Sequence, residues 1–166
     1  MTIVKLEPWE WVHALSVGAR RHEANWNSKD AAHYDRRGME DDRTSQARAC
    51  VCELAVAKKT NRYWSGSVWY SGHNQNKKKH ADVGHKFEVK HVRTKNFTRV
   101  DKGMTGKGMY LFVAKTLDEE LKTVEILGWI KYDDAWELGT ESQYKGNCRD
   151  IHIKHLKSLD DFEIRA

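Results

Sequence analysis

Cysteine and proline are scarce in this chain. Its three cysteines, Cys50, Cys52 and Cys148, cannot all pair, and no apolar secretory segment precedes them, so we expect a reduced protein in the cytoplasm. Pro8 is the only proline, so no proline-rich linker divides the 166 residues. A chain of this length can bury one core. We therefore predict a single domain over residues 1–166.

Long apolar runs, repeats and nucleotide-binding loops are also missing. No stretch approaches the roughly twenty apolar residues that a membrane-spanning helix needs, which excludes a membrane-inserted class of protein. The glycine-rich segment "DKGMTGKG" at 101–108 cannot be aligned with GxxxxGK[ST], so a P-loop is not supported. The Cys50-x-Cys52 pair has no second Cys/His pair at ligand spacing, which favours structural thiols over a zinc site.

Positive charge is in excess and is unevenly distributed. The formal net charge is +5, and cations concentrate in "KKKH" at 77–80 and in the residues that follow it. Such a cluster fits a polyanionic partner such as nucleic acid, and it equally fits a solubilising surface. The candidate nucleic-acid-binding residues are Lys77, Lys78, Lys79, Arg93, Lys95 and Arg99.

Two segments have the periodicity of helices. The first covers about residues 9–26, and its packing stripe carries Trp11, Leu15 and Gly18. Arg20 and Arg21 are predicted on the other side of this helix, where they either face solvent or contact a nucleic acid. The second is the alanine-rich segment 45–59, for which Ser45 is a candidate N-cap. The polar segment 27–44 between them is predicted to be a long loop.

Strands are predicted in the second half of the chain. We expect a hairpin at about 80–93, a strand from Met109, a strand from Thr123, and a tail that is extended and then forms an amphipathic helix or turn. Gly128 would permit close packing around a core Trp129. The aromatic residues Trp64, Trp69 and Tyr70 fit either buried packing or base stacking.

The hairpin segment "ADVGHKFEVKH" at 81–91 brings acids and a lysine together. Glu88 and Lys90 project from the same face of a strand, about 6.6 Å apart, whereas Phe87 and Val89 face the core. A reversal at Gly84 would bring Asp82 alongside Glu88. Two neighbouring carboxylates repel each other unless a cation lies between them, and hard oxygen ligands suit Mg²⁺ or Mn²⁺. The alternative is a salt-bridged hairpin in which Lys90 pairs with one of the acids.

Glu53 is the second anomaly, because it lies on a largely small and apolar stripe of the alanine-rich helix. A carboxylate there is costly unless it has a partner or a cation. One interpretation places Glu53 beside the same metal. The other is a boundary glutamate that reaches solvent or meets a Lys or Arg side chain. His85 and His91 flank the acids. They either act as proton donors or phosphate contacts, or His85 is a turn residue and His91 is a neighbour on the opposite face.

The order of these residues resembles the PD-(D/E)XK nuclease superfamily, in which a helix Glu precedes an Asp and a Glu-x-Lys. The segments "CELAVAKKTNRYW", "ADVGHKFEVKH" and "VEILGWI" are similar to those of small phage and bacterial proteins in that superfamily. The resemblance covers about residues 48–130. It implies an α/β, restriction-endonuclease-like fold with a central mixed β-sheet flanked by α-helices and a motif-bearing core at about 45–132.

The resemblance also implies residue roles. Asp82, Glu88 and the carbonyl of Val89 would be metal ligands, Lys90 the catalytic lysine, and Glu53 would assist the metal site from its helix. The expected cofactor is Mg²⁺ or Mn²⁺. Only five residues separate Asp82 from Glu88, a short spacing that demands a tight turn at Gly84.

The function expected from these observations is that of a metal-dependent deoxyribonuclease acting in a bacterial or phage-infected cell. DNA is the expected partner, RNA stays open because no base-reading motif is visible, and a homodimer is compatible with the sequence. Two other classes also stay open. One is a nucleic-acid-binding protein that keeps the fold without catalysis, and the other is a structural or partner-inhibiting phage protein.

Overall fold

A computed structural model describes residues 1–25, 41–68, 81–143 and 146–162. These residues form three α-helices and seven strands, joined in places by short 3-10 turns. In chain order they are β1 (Thr2–Lys5), α1 (Pro8–Asn25), α2 (Asp42–Thr60), β2 (Phe87–His91), β3 (Phe97–Asp101), β4 (Tyr110–Thr116), β5 (Thr123–Lys131), α3 (Tyr132–Leu138), β6 (Thr140–Glu141) and β7 (Cys148–His152).

The strands form two sheets, one of them mixed. The four-stranded sheet has the order β1-β5-β4-β2, in which β5 is antiparallel to both of its neighbours and β2 is parallel to β4. The second sheet has the order β3-β7-β6 and is antiparallel. The predicted α/β class with a central mixed sheet is therefore confirmed. Because β2 is an edge strand, its outer side is open to contacts from the segment that precedes it.

The mixed sheet is covered on both faces. Alternate residues of β4 point to opposite sides. Phe112 and Ala114 pack in a core with α2 residues such as Val51 and Ala55. Leu111 and Val113 pack in a second core with residues of β3, β7 and α3. Helices thus cover one face, whereas the second sheet and one short helix cover the other.

The two long helices were predicted correctly, but their starts differ from the prediction. α2 begins at Asp42 and its N-cap is Asp41, whose carboxylate accepts a hydrogen bond from the Arg43 N–H at 2.8 Å. The prediction of Ser45 as the cap is therefore wrong, because a carboxylate four residues earlier already satisfies a free N–H of the first turn. Residues 42–44 belong to this helix, and the rest of the predicted loop, up to residue 40, lies outside the described residues.

Two glycines allow close packing, and the close packing at Gly128 was predicted from the sequence. At Gly18 an added Cβ would lie 2.8 Å from the Ala47 Cα, so glycine lets α1 approach α2 closely. At Gly128, with φ +155°, an added Cβ would lie 2.4 Å from the carbonyl oxygen of Lys157. Trp129 beside it is buried, and its indole Nε1 donates to the Ser158 carbonyl at 3.0 Å.

The predicted hairpin is only partly present. Phe87–His91 is a strand, but the residues before it contribute a single bridge in which Val83 and Phe87 exchange backbone hydrogen bonds of 3.1 and 3.2 Å. Gly84, with φ +55°, makes the expected tight turn between them. The inner edge of β2 pairs in parallel with β4, and the single Val83–Phe87 bridge lies on its outer edge.

Other parts of the chain were not predicted. The strands β1, β3 and β6 and the helix α3 are additions to the sequence-based prediction, and the extended piece of the tail is β7. The described tail continues in short 3-10 turns, without an α-helix up to Phe162. Within the described residues no helix is both long and apolar enough to cross a membrane.

Candidate active site

Glu53 lies in the middle of α2 and is buried, with 3% of its surface exposed. Arg21 of α1 forms two hydrogen bonds with its carboxylate, Nη1 to Oε1 at 2.8 Å and Nη2 to Oε2 at 3.0 Å. The indole Nε1 of Trp64 donates to Oε2 at 2.9 Å. Of the two interpretations of Glu53, the structure therefore shows the one with an arginine partner.

The position of Arg21 corrects the sequence analysis. Arg21 is 1% exposed, so the prediction that it belongs to the solvent or nucleic-acid face of α1 is wrong, whereas Arg20 beside it is exposed. The signal was present in the spacing. Ala14, Val17 and Gly18 lie on the buried stripe, and position 21 follows them at the helical interval. The side chain is buried because Glu53 on the facing helix satisfies its charge.

Burial and the neighbouring Asp82 raise the pKa of the Glu53 carboxyl above its ordinary value. The hydrogen bond and the charge of Arg21, together with the Trp64 indole, act in the opposite direction. Asp82 is therefore close enough to Glu53 to disfavour its charged form, even though the two acids lie in different parts of the chain.

Asp82 lies on the outer edge of β2. Its Oδ2 accepts a hydrogen bond from the Val89 N–H at 2.8 Å, and the residue is 3% exposed. The backbone of Asp82 is held from the other side, because its carbonyl accepts from the Ser65 N–H at 3.3 Å. Trp64, which bonds Glu53, also bridges to Val83. One short segment, 64–65, therefore connects the helix acid to the loop that carries Asp82.

Glu88 and Lys90 project from the other face of β2 than Phe87 and Val89, as the alternation predicted. They pair with Leu111 and Val113 of β4, which belong to the core between the two sheets. Glu88 is 4% exposed, and its Oε1 is buried without a hydrogen bond, although the residue makes other interactions. Lys90 is half-buried. Over the described ranges, Lys90 forms no ion pair with Asp82 or Glu88, so the salt-bridged hairpin is not the arrangement found.

The backbone of Val89 is available at the same edge. A strand residue directs its N–H and its carbonyl toward the same side. Since the Val89 N–H points outward to Asp82, its carbonyl oxygen also lies on the open edge rather than in the ladder with β4. The Asp82 carboxylate and the Val89 carbonyl thus share the open edge of β2, and Glu88 is the neighbour of Val89 in the strand.

The donors present here suit a hard divalent cation. Carboxylate and carbonyl oxygens are the ligands of Mg²⁺, which commonly takes one or two carboxylates and keeps several waters. No group of three or more His, Cys, Asp or Glu side chains is arranged to hold a metal in the part of the chain that is described. The fit therefore rests on Asp82, Glu88 and the Val89 carbonyl. Both oxygens of Glu53 accept hydrogen bonds from Arg21 or Trp64, so part of their acceptor capacity is used within the protein.

The predicted nucleic-acid-binding residues are only partly described. Lys77, Lys78 and Lys79 lie outside the described residues, as do Trp69 and Tyr70. Arg93 and Lys95 are exposed just beyond β2, and Arg99 is half-buried in β3. Trp64 is buried against Glu53, which places it in packing rather than in base stacking.

The remaining predicted residues have simpler positions. His85 is exposed on the Gly84 turn, and His91 is the half-buried last residue of β2.

Cys50 and Cys52 are fully buried in α2, and burial raises the pKa of the Cys50 thiol to about 12. Cys148 is buried as well, and its Sγ donates to Asp101 Oδ1 at 2.8 Å. All three are free thiols, in agreement with a structural role.

No protein-family model, curated protein or solved structure matches this chain.

Proposed function

We propose that this protein is a metal-dependent nuclease of restriction-endonuclease-like fold that hydrolyses phosphodiester bonds in DNA. One observation carries the proposal. The Asp82 carboxylate is fixed on the backbone of Val89, and Val89 stands between Glu88 and Lys90 on an edge strand. A metal site built on this contact would draw its two acids, its carbonyl and its lysine from β2 and the turn before it, and the exposed Arg93 and Lys95 follow β2 in the chain.

Asp82, Glu88 and the Val89 carbonyl would hold Mg²⁺ or Mn²⁺. The bound ion would lower the pKa of a water molecule and neutralise charge on the phosphate. The Asp82 hydrogen bond to the Val89 N–H fixes the carboxylate before any ligand arrives, which reduces the cost of assembling the site.

Lys90 and Glu53 would act in different ways. Lys90 is half-buried and forms no ion pair with the acids of the described site, so its ammonium can orient the attacking water or stabilise negative charge as the bond breaks. Glu53 would be a positioning residue, because its carboxylate reaches the Asp82 loop through Trp64.

The second candidate is a nucleic-acid-binding protein that keeps the fold without catalysis. The observation that favours it is that both carboxylate oxygens of Glu53 accept hydrogen bonds from Arg21 or Trp64 within the protein. Such a protein would bind DNA equally well with and without divalent cations, and it would leave the DNA intact.

The deciding experiment incubates the purified protein with circular, linear, single-stranded and double-stranded DNA in Mg²⁺, Mn²⁺, Ca²⁺ or EDTA. We expect cleavage with Mg²⁺ or Mn²⁺ and none in EDTA. Asp82→Asn and Glu88→Gln should abolish cleavage, and Lys90→Met should lower the rate by roughly a hundredfold. Glu137→Gln and Lys59→Met change exposed residues on α3 and α2 and should cleave like the parent.

Two outcomes would contradict the nuclease proposal. Cleavage that persists in EDTA with metal-stripped protein would refute the metal mechanism. Equal cleavage by the parent and all three site variants would place the reaction elsewhere. DNA binding without cleavage under every condition would favour the non-catalytic protein.

A further inference from the structure

An aromatic cleft lies beside the Gly84 turn. Its volume is about 800 Å³, and it is lined by the rings of Tyr63, Phe87, Tyr110, Trp129 and Phe162. Small-molecule sites are typically about 300–1,000 Å³ and mostly apolar, with a few polar groups that fix orientation. The cleft has the size and lining of such a site, and the proposed catalytic chemistry does not use it.

The inner rings of the cleft are fixed by mutual contacts. The Phe162 ring packs edge-on against Trp129 at 4.9 Å and against Phe87 at 5.5 Å between ring centres. Tyr63 is different, because it is 77% exposed at the rim. A tyrosine that packs on so little of its own protein has a free ring face, and a free ring face can stack on a planar ligand.

The rim of the cleft is cationic. Arg62, Lys86 and Lys131 line it, and among the described lining residues Asp161 supplies the one carboxylate. The Arg62 guanidinium lies 4.7 Å from the centre of the Phe87 ring and is therefore held at the cleft. The Lys86 Nζ donates to the Lys107 carbonyl at 2.7 Å, which fixes this side chain beside the cleft residues. The occupant favoured by this charge is an anion that also carries a planar ring.

We propose that this cleft binds an unpaired nucleotide, with the base stacked on Tyr63 and the phosphate on Lys86 and Lys131. Aromatic faces next to cations are how proteins bind single strands without reading their sequence. The Gly84 turn forms a wall of the cleft and leads directly into β2, so an unpaired nucleotide held there adjoins the proposed active site. The use of the cleft in cleavage rests on the proposed function, whereas binding to it does not.

Binding is tested with the full-length protein in EDTA, where no cleavage occurs. The probes are thymidine 5′-monophosphate, measured by calorimetry, and fluorescein-labelled (dT)8 and a blunt duplex, measured by anisotropy. We expect (dT)8 to bind and Tyr63→Ala to weaken it by about tenfold. Tyr63→Phe should keep the affinity because it keeps the ring, and Lys131→Ala should weaken binding severalfold and reduce its dependence on salt.

Matched controls come from exposed residues away from the cleft. Trp9→Ala removes an aromatic side chain that is 71% exposed on α1, and Lys59→Ala removes an exposed lysine of α2. Neither should change the affinity for (dT)8. Binding of the mononucleotide with an affinity close to that of (dT)8 would identify a free nucleotide as the ligand, whereas much tighter (dT)8 binding would identify a strand. Both results support the cleft.

The cleft proposal is refuted if neither thymidine 5′-monophosphate nor (dT)8 binds, including the case in which only the duplex binds. It is also refuted if Tyr63→Ala and Lys131→Ala bind (dT)8 like the parent. These results are separate from those for cleavage. If the protein never cleaves DNA but Tyr63→Ala weakens its binding of (dT)8, the cleft proposal is supported and the nuclease proposal is refuted. If the protein cleaves DNA but all variants bind (dT)8 equally, the nuclease proposal is supported and the cleft proposal is refuted.

Discussion

Arg21 and Glu53 form a buried, two-point ion pair that joins α1 to α2, with nitrogen–oxygen distances of 2.8 and 3.0 Å. The pair links the first helix to the acids of the candidate site, because Glu53 also accepts from Trp64. Its stability and its effect on the site can be measured separately.

Removing one partner of this pair should be strongly destabilising. Arg21→Met leaves the Glu53 carboxylate buried without its cation, and we expect a loss of about 3–5 kcal/mol in the free energy of unfolding. Arg20→Met changes the exposed neighbour and should stay within about 0.5 kcal/mol of the parent. Urea denaturation followed by tryptophan fluorescence measures both. In the double variant Arg21→Met/Glu53→Leu the loss should be smaller than the sum of the single losses. Strictly additive losses would show that the pair does not interact.

Glu53 should affect cleavage less than the acids near β2. Glu53→Gln keeps an oxygen that can accept from Trp64, so the Asp82 loop should stay in place and the cleavage rate should fall less than in Glu88→Gln. Single-turnover cleavage rates at saturating Mn²⁺ make the comparison, with folding checked by circular dichroism. A rate for Glu53→Gln as low as that for Glu88→Gln would assign Glu53 a direct role at the metal.

The thiols of α2 should be unreactive in the folded protein. Burial raises the pKa of Cys50 from 9.0 to about 12 and also raises the pKa of Cys52. A thiol reagent at pH 8 should therefore label both residues only after unfolding, as counted by mass spectrometry. Rapid labelling of either cysteine in the native protein would contradict its buried position.

The raised pKa of Cys50 makes the free energy of unfolding depend on pH in the alkaline range. Between pH 9.0 and about 12 the unfolded chain releases the Cys50 proton and the folded chain keeps it. The stability that this protonated thiol contributes is therefore complete below pH 9.0 and is lost as the pH rises toward 12. Cys50→Ala should show a weaker decline in unfolding free energy over this range than the parent.

Gly128→Ala should destabilise the join between β5 and the tail. A Cβ there would lie 2.4 Å from the Lys157 carbonyl oxygen, and φ is +155°, so backbone must shift. We expect a loss of about 1–3 kcal/mol, as for overpacking elsewhere in protein cores. Gly103→Ala is the matched control, because a Cβ at that position meets nothing within 4 Å. Thermal unfolding of the two variants compares them, and equal melting temperatures would contradict the close packing at Gly128.

DNA binding should weaken steeply with salt if the cationic residues contact phosphates. Arg93→Ala and Lys95→Ala remove exposed cations beyond β2, and each should lower the slope of log affinity against log salt by about one. The exposed Lys59→Ala variant of α2 should leave the slope unchanged. Anisotropy titrations in EDTA at several salt concentrations measure this slope. A flat salt dependence for the parent would identify these residues as a solubilising surface.

Local sequence patterns were sufficient to predict the long elements of this fold. Helical periodicity predicted α1 and α2, and β-branched and aromatic runs predicted β4 and β5, because these preferences depend on residues that are close together in the chain. The turn at Gly84 and the close packing at Gly128 were also predicted, since only glycine tolerates those conformations or contacts. The same patterns indicated that Glu88 and Lys90 share a face of one strand.

Tertiary structure decided which segments meet. The sequence predicted that Glu53 needs a partner, but Arg21 lies 32 residues away, and only the packing of α1 on α2 makes that arginine the partner. The parallel pairing of β2 with β4 also depends on tertiary structure, and it leaves the Val89 N–H on the other, open edge of β2 for Asp82. Spacing along a chain determines which side chains share a face. Which charges and backbone groups become neighbours across elements depends on how the whole chain buries its apolar surface.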